Sequence, residues 1–190
     1  LPLVKNIFSG VVFRVGSQQS AVLAIQQAAQ LSFALDIVAS IHIRMGSENP
    51  AQAMSNEHWT ANRVAEATTA ALAYPKVNVF VDTMADIDRG YFPRLGVVDK
   101  MFNPRLGYYV VRHLNALFAR VQDQLVVEEI NESNNAMLIT LTQGIQKWWL
   151  ILPNSDNELI CLEPLIREHL MSKQIFIFNL RSGAHGVFPT

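Results

Sequence analysis

Carboxylates, arginines and aromatic rings gather in one stretch of a chain that is otherwise poor in charge. Residues 82–105 hold Asp82, Asp86, Asp88 and Asp99 together with Arg89, Arg94 and Arg105, and Tyr91-Phe92 stands among them, while only 16% of the whole chain is charged. Carboxylates and guanidinium groups in a cleft hydrogen-bond sugar hydroxyls, and aromatic faces stack on sugar rings. Asp82, Asp86, Asp88 and Arg89 are therefore candidates to position a substrate, with Tyr91 and Phe92 to stack on it. The plainer reading is a long loop tied down by its own Arg–Asp pairs, because its polar groups must be satisfied. A second polar stretch runs Arg44-Met45-Gly46-Ser47-Glu48-Asn49. Retaining glycoside hydrolysis needs two carboxyl groups about 5 Å apart, and Glu48 is the candidate for one of them. Arg44 and Asn49 beside it are candidate substrate contacts. The alternative for Glu48 is a loop brace paired with Arg44 or Arg89. His42 lies inside an apolar run and reads as a satisfied core histidine.

Sharper catalytic motifs are absent from the sequence. There is no glycine-rich phosphate loop, no Gly-x-Ser-x-Gly elbow and no His-Glu-x-x-His pair, Glu57-His58 standing alone. No cofactor and no metal is implied. Cys161 is the single cysteine, which excludes an internal disulfide framework and a zinc site of paired thiolates. Its apolar surroundings, Leu159-Ile160-Cys161-Leu162, mark it as a core residue. Fifteen basic residues against sixteen acidic ones leave no basic stripe, so nucleic acid is not an expected partner. The apolar stretches are interrupted before the ~20 residues a spanning helix needs, so a membrane is not expected either. The opening Leu1-Pro2-Leu3-Val4-Lys5 has no initiator Met and no signal-peptide pattern. That suggests an excised segment and favours the cytoplasm.

The elements that must position these residues alternate. Residues 10–15, 37–43 and 77–81 are short β-branched and aromatic runs, and each is followed by a helical pattern, at 18–35, 60–73 and 107–121. Ser17 is the expected N-cap of the first helix, whose apolar face is Val22, Ile25, Ala29 and Phe33. The nearly continuous apolar strands predict burial on both faces and parallel pairing through right-handed crossovers. Half of the residues are hydrophobic, enough for a sizeable core. From residue 125 the pattern changes to strands separated by polar turns, an antiparallel β segment. Trp148 and Trp149 fall on opposite faces of one such strand. The long loops 44–59 and 82–106 follow strand ends, where enzymes of the barrel type carry their catalytic residues.

One stretch carries a family likeness. Asn78 to Leu117, with Asp88-Arg89-Gly90-Tyr91-Phe92-Pro93-Arg94, then Asn103-Pro104-Arg105 and Tyr108-Tyr109, resembles the last strand–loop–helix of glycoside-hydrolase-like (β/α)8 barrels. The resemblance implies an α/β fold: the last three strand–helix units of a partial (β/α)8 (TIM-type) barrel over residues 1–122, then a small β-sandwich over 123–190. It implies that the remainder of the barrel lies upstream, with the acid/base glutamate of that family. It also places Glu48 at the end of the seventh strand, where the nucleophile lies.

The expected function is then that of a carbohydrate-active, glycoside-hydrolase-like enzyme whose partner is a carbohydrate or sugar-derived small molecule. The alternatives are a catalytically inactive carbohydrate-binding or scaffold protein, and a lactonase or isomerase acting on sugar derivatives, which needs no second glutamate.

Overall fold

The computed structural model describes residues 9–46, 56–82, 84–86, 95–133, 136–154 and 175–188. Three parallel strands come first in the chain: β1 (Gly10–Val15), β2 (Val38–Ile43) and β3 (Val77–Val81), paired in the order β1-β2-β3. Each is followed by a helix: α1 (Ala21–Leu35), α2 (Glu57–Ala73) and α3 (Leu106–Phe118). Alternate strand residues are buried beneath these helices. Val15, Ala39, Ile41, Ile43 and Val77 enter the core, and Val11, Phe13, Val79 and Val81 pack against it. This is the period-2 burial of a sheet covered on one face.

Helix α2 packs on both α1 and α3. Ala61, Ala65, Ala67, Ala70 and Ala73 are buried around it, and their small side chains suit a helix with neighbours on two sides. Its carboxylates also cap those neighbours. The first amides of a helix have no intrahelical acceptor and must be satisfied from outside. Glu66 Oε2 accepts from Ala21 N (2.8 Å), Val22 N (3.3 Å) and Ser20 Oγ (3.0 Å) at the start of α1. Glu57 Oε1 accepts from Leu106 N (2.9 Å) at the start of α3, where Arg105 supplies no side-chain cap. Helix α1 begins three residues later than expected, with Ser20 rather than Ser17 as N-cap. Its buried face is Ala21, Val22, Ile25 and Ala28, and Phe33 points to solvent at 85% exposure.

The second half of the described chain is an antiparallel meander, β4 (Leu125–Glu132), β5 (Ala136–Gln143) and β6 (Gln146–Pro153), in that order. A bulge between Val127 and Glu129 shifts the register. It keeps Val127 and Ile130 on one face although they stand three positions apart. That face also carries Leu125, Ile139, Leu141, Leu150 and Leu152, and it is continuous with the core beneath the helices. Phe118 at the end of α3 meets Trp148 edge to face at 5.3 Å. Gln143 Nε2 donates to Phe118 O (3.1 Å) and to Asp123 O (2.8 Å). Trp149 lies on the other face, with Lys147 Nζ 5.7 Å from its ring centroid. A last hairpin, β7 (Ile175–Phe178) and β8 (His185–Phe188), forms a separate two-stranded sheet. Its turn docks on the helices: His113 Nδ1 lies 2.7 Å from Leu180 O, and Arg181 Nη2 donates to Asn62 Oδ1 at 3.0 Å.

These observations correct the expected architecture. The fold is a mixed α/β arrangement of three helices and three small sheets among the described residues, not a partial (β/α)8 barrel followed by a sandwich. A barrel closes only when about eight tilted strands return on themselves. Here the parallel sheet is open, and neither β1 nor β3 has an outer partner among the described residues. The meander buries its apolar face against helices, so it does not need the second facing sheet of a sandwich. The likeness carried by residues 78–117 has a local explanation instead. Asn103 is held by Asp99, Pro104 bridges to Val98, and Arg105 pairs with Asp86, so the motif is the junction that launches α3. Burial on both faces of the parallel sheet also gives way, because no described element covers its second face.

Candidate functional site

Register determines what the open face presents. Residues on parallel strands that share a register row and point to the same side stand side by side about 4.8 Å apart. The middle row is Val12, Ser40 and Asn78, and the row nearer the carboxyl ends is Arg14, His42 and Phe80. Val12 is 72% exposed and Phe80 56%, so no described element covers this face closely. Asn78 Nδ2 reaches Ser40 Oγ at 3.4 Å. Asp82, two residues beyond Phe80, belongs to the same face.

Asp82 and His42 meet there, with Nε2 2.6 Å from Oδ1 and each side chain about one-third exposed (38% and 31%). The backbone fixes both ends of the pair. His42 is locked in the ladder between β1 and β3, and Asp82 N donates to Ile43 O at 2.9 Å, which extends the ladder one step past β3. An ionised carboxylate only accepts hydrogen bonds, so Nε2 is the protonated nitrogen. The lone pair available for chemistry is then that of Nδ1. A carboxylate that holds an imidazole in one tautomer and balances the imidazolium formed on proton uptake is the arrangement of a general base.

The next loop is built for rigidity. Asp86 accepts from Gly96 N at 2.8 Å and forms an ion pair with Arg105, leaving little of its carboxylate for a ligand. Val98 bridges to Ala85 on one side and to Pro104 on the other. Leu95 packs with Met45 and Val64 in a small cluster of its own, which pins this loop over the end of the sheet. Asp99 closes a tight turn, its carboxylate accepting from Met101 N, Asn103 N and Asn103 Nδ2, each at 2.8 Å. These hydrogen bonds, the Asn103 side chain foremost, hold the Asp99 carboxyl below the usual carboxylate range.

Gly96 is where this loop tolerates no side chain. A Cβ there would lie 2.5 Å from Val98 O and 2.6 Å from Asp86 N. Gly96→Ala must force the two loop segments apart, and it is expected to cost about 1–3 kcal/mol. The shift in the urea unfolding midpoint measures it; an unchanged midpoint would show that the backbone there gives way freely.

Of the candidate catalytic and substrate-contact residues read from the sequence, Arg44, Asp82 and Asp86 are described. Arg44 follows β2 directly, its amide donating to Val15 O at 3.0 Å, and the residue has a further interaction of its own. Glu48, Asn49, Asp88, Arg89, Tyr91, Phe92 and Cys161 lie outside the described residues. The structure therefore brings Asp82 to the open face and commits Asp86 to the loop. Sequence reasoning read His42 as a core residue and did not place it in one row with Arg14 and Phe80 on an exposed face. The signal was available: Arg14, Ser40, His42 and Asn78 fall at alternate positions of their strands, a polar parity running through three apolar runs.

Comparison with protein-family models, with curated proteins and with solved structures finds no match for this chain. The likeness to glycoside-hydrolase-like barrels thus has neither a family match nor the fold behind it. No helix among the described residues is long and apolar enough to cross a membrane.

Proposed function

We propose that the chain is a proton-transfer enzyme acting on a sugar-derived small molecule at the carboxyl ends of β1–β3, with His42 as general base. The observation that carries this reading is the 2.6 Å contact between His42 Nε2 and Asp82 Oδ1. Asp82 is the positioning residue: it fixes the tautomer that leaves Nδ1 unprotonated and stabilises the imidazolium after proton uptake. In open sheets with parallel strands, ligands bind at the carboxyl ends of the strands, which is where this pair stands. The exposed ring of Phe80 offers a surface for the C–H face of a sugar, and the Ser40–Asn78 pair supplies hydroxyl and amide groups one row below.

Among the sugar chemistries, this set suits an isomerase or a lactonase better than a glycosidase. In the first case Nδ1 takes a proton from carbon next to a carbonyl; in the second it takes one from the attacking water. A retaining glycosidase needs two free carboxyl groups about 5 Å apart. Asp82 is bound to His42, and Asp86 to Gly96 and Arg105.

The experiment is a turnover screen of aldoses, ketoses and aldonolactones by NMR, followed by Asp82→Asn on whatever is turned over. The asparagine keeps the shape but not the charge, so kcat should fall about 10²–10⁴-fold with KM and the unfolding midpoint nearly unchanged. Binding without turnover across the screen would instead favour a carbohydrate-binding protein.

A further inference from the structure

Arg14 stands beside His42 on the open face, its Cα partner across β1 and β2. It is exposed and makes no hydrogen bond or ion pair with any described residue. Asp82, the carboxylate of the same face, is committed to His42. An unpaired guanidinium next to an imidazole–carboxylate pair raises the local positive potential, and stability alone gives no reason for it. On the reading of the site given above, we propose that Arg14 is its anion anchor and that the substrate is a sugar acid, a polyhydroxy compound bearing a carboxylate.

The dimensions agree with this. Arg14 and Phe80 flank His42 on the two neighbouring strands, so their Cα atoms are roughly 10 Å apart, two strand spacings. A six-carbon sugar acid fits between the two side chains, with its carboxylate on Arg14, its ring carbons on Phe80 and its middle carbons over His42 Nδ1. A single planar guanidinium matches a carboxylate through two parallel hydrogen bonds. A phosphate usually draws on a helix N-terminus as well. The amides that open the three helices are already used: Ala21 N and Val22 N donate to Glu66, His58 N and Trp59 N to Asn56 Oδ1, and Leu106 N to Glu57. A carboxylate is therefore the anion that the face can hold.

The test is calorimetric titration of the wild-type chain, Arg14→Gln and His42→Asn with D-galacturonate, D-galactose and D-galactose 6-phosphate. Wild type should bind galacturonate at least tenfold more tightly than galactose, and Arg14→Gln should erase that preference while leaving galactose affinity unchanged. The exposed, unpartnered position of Arg14 lets the variant fold, and its thermal unfolding curve checks this. His42→Asn should keep the preference, because the anchor and the base are separate groups. Equal affinity for the acid and the neutral sugar, or no measurable binding of galacturonate, overturns the proposal. So does a preference that survives Arg14→Gln, or a sugar phosphate that outcompetes the acid. The two readings fail separately. Turnover that depends on His42 without a preference for acids removes the anchor alone. An Arg14-dependent preference without any His42-dependent turnover removes the catalytic role alone.

Discussion

His42→Asn should lower kcat/KM for the substrate found in the turnover screen by about 10²–10⁴-fold, the usual contribution of a positioned general base. That factor corresponds to about 2.7–5.5 kcal/mol of transition-state stabilisation. Asparagine is the informative replacement because it takes away the imidazole proton acceptor while leaving a smaller polar side chain on the exposed face. The imidazole is 38% exposed and packs in no apolar cluster, so the unfolding midpoint should move little. A fall in rate with an unmoved midpoint separates a chemical role from a structural one. The double variant with Asp82→Asn sharpens the distinction. If Asp82 acts only through His42, its loss costs nothing further once His42 is gone, and the two effects are far from additive. Unchanged turnover in His42→Asn would remove the general-base reading at once.

The positions of the parallel strands were readable from the sequence because three short β-branched runs are each followed by a helical period. The character of their faces was legible too, and was misread. Arg14, Ser40, His42, Asn78 and Asp82 occupy alternate positions and mark one face as wet, but the runs between them are apolar enough to pass for strands buried on both sides. Reading parity instead of average hydropathy would have placed His42 on the open face and Asp82 beside it. Helix α1 shows the same limit on a smaller scale. Phe33 fits a three- and four-residue spacing with Val22 and Ala29, yet it is 85% exposed. The core takes the stripe through Ala21, Ile25 and Ala28, and the small size of its alanines hid that stripe. Tertiary capping lay beyond local pattern altogether. Ser17 and Ser20 both look like caps, and what distinguishes them is a glutamate 46 residues further on. The barrel expectation failed for a related reason: strand–helix alternation constrains neighbouring units but carries no count of strands.

Glu66 is where the largest loss of stability is expected. The residue is 8% exposed and Arg63, one turn earlier on α2, is 4% exposed. Arg63 donates to Gln19 O and, at 2.7 Å, to Gly16 O, while Glu66 takes the Ser20 hydroxyl and the first amides of α1. Together the two side chains fasten the turn between β1 and α1 to the middle helix. Glu66→Ala would orphan those donors and leave the Arg63 charge buried without its counter-charge. Each buried donor left unsatisfied costs about 1–3 kcal/mol, so the loss is a large part of the stability of a small domain. Glu66→Gln should cost less, because its carbonyl oxygen can still accept from the α1 amides. The pH dependence gives an independent check. Burial pushes the Glu66 carboxyl above its ordinary value of 4.5, while Arg63 and the hydrogen bonds from Val22, Ser20 and Ala21 pull it back only in part. The folded chain therefore holds this proton to higher pH than the unfolded chain does. The carboxyl's contribution to stability is fully present below the ordinary value and declines as pH rises through the raised one. In Glu66→Gln that decline should vanish. Urea midpoints of both chains across pH 4 to 8 would show it as two curves that converge toward the upper end of the range. Parallel curves would mean that Glu66 keeps an ordinary acidity, and that Arg63 and the α1 amides fully offset its burial.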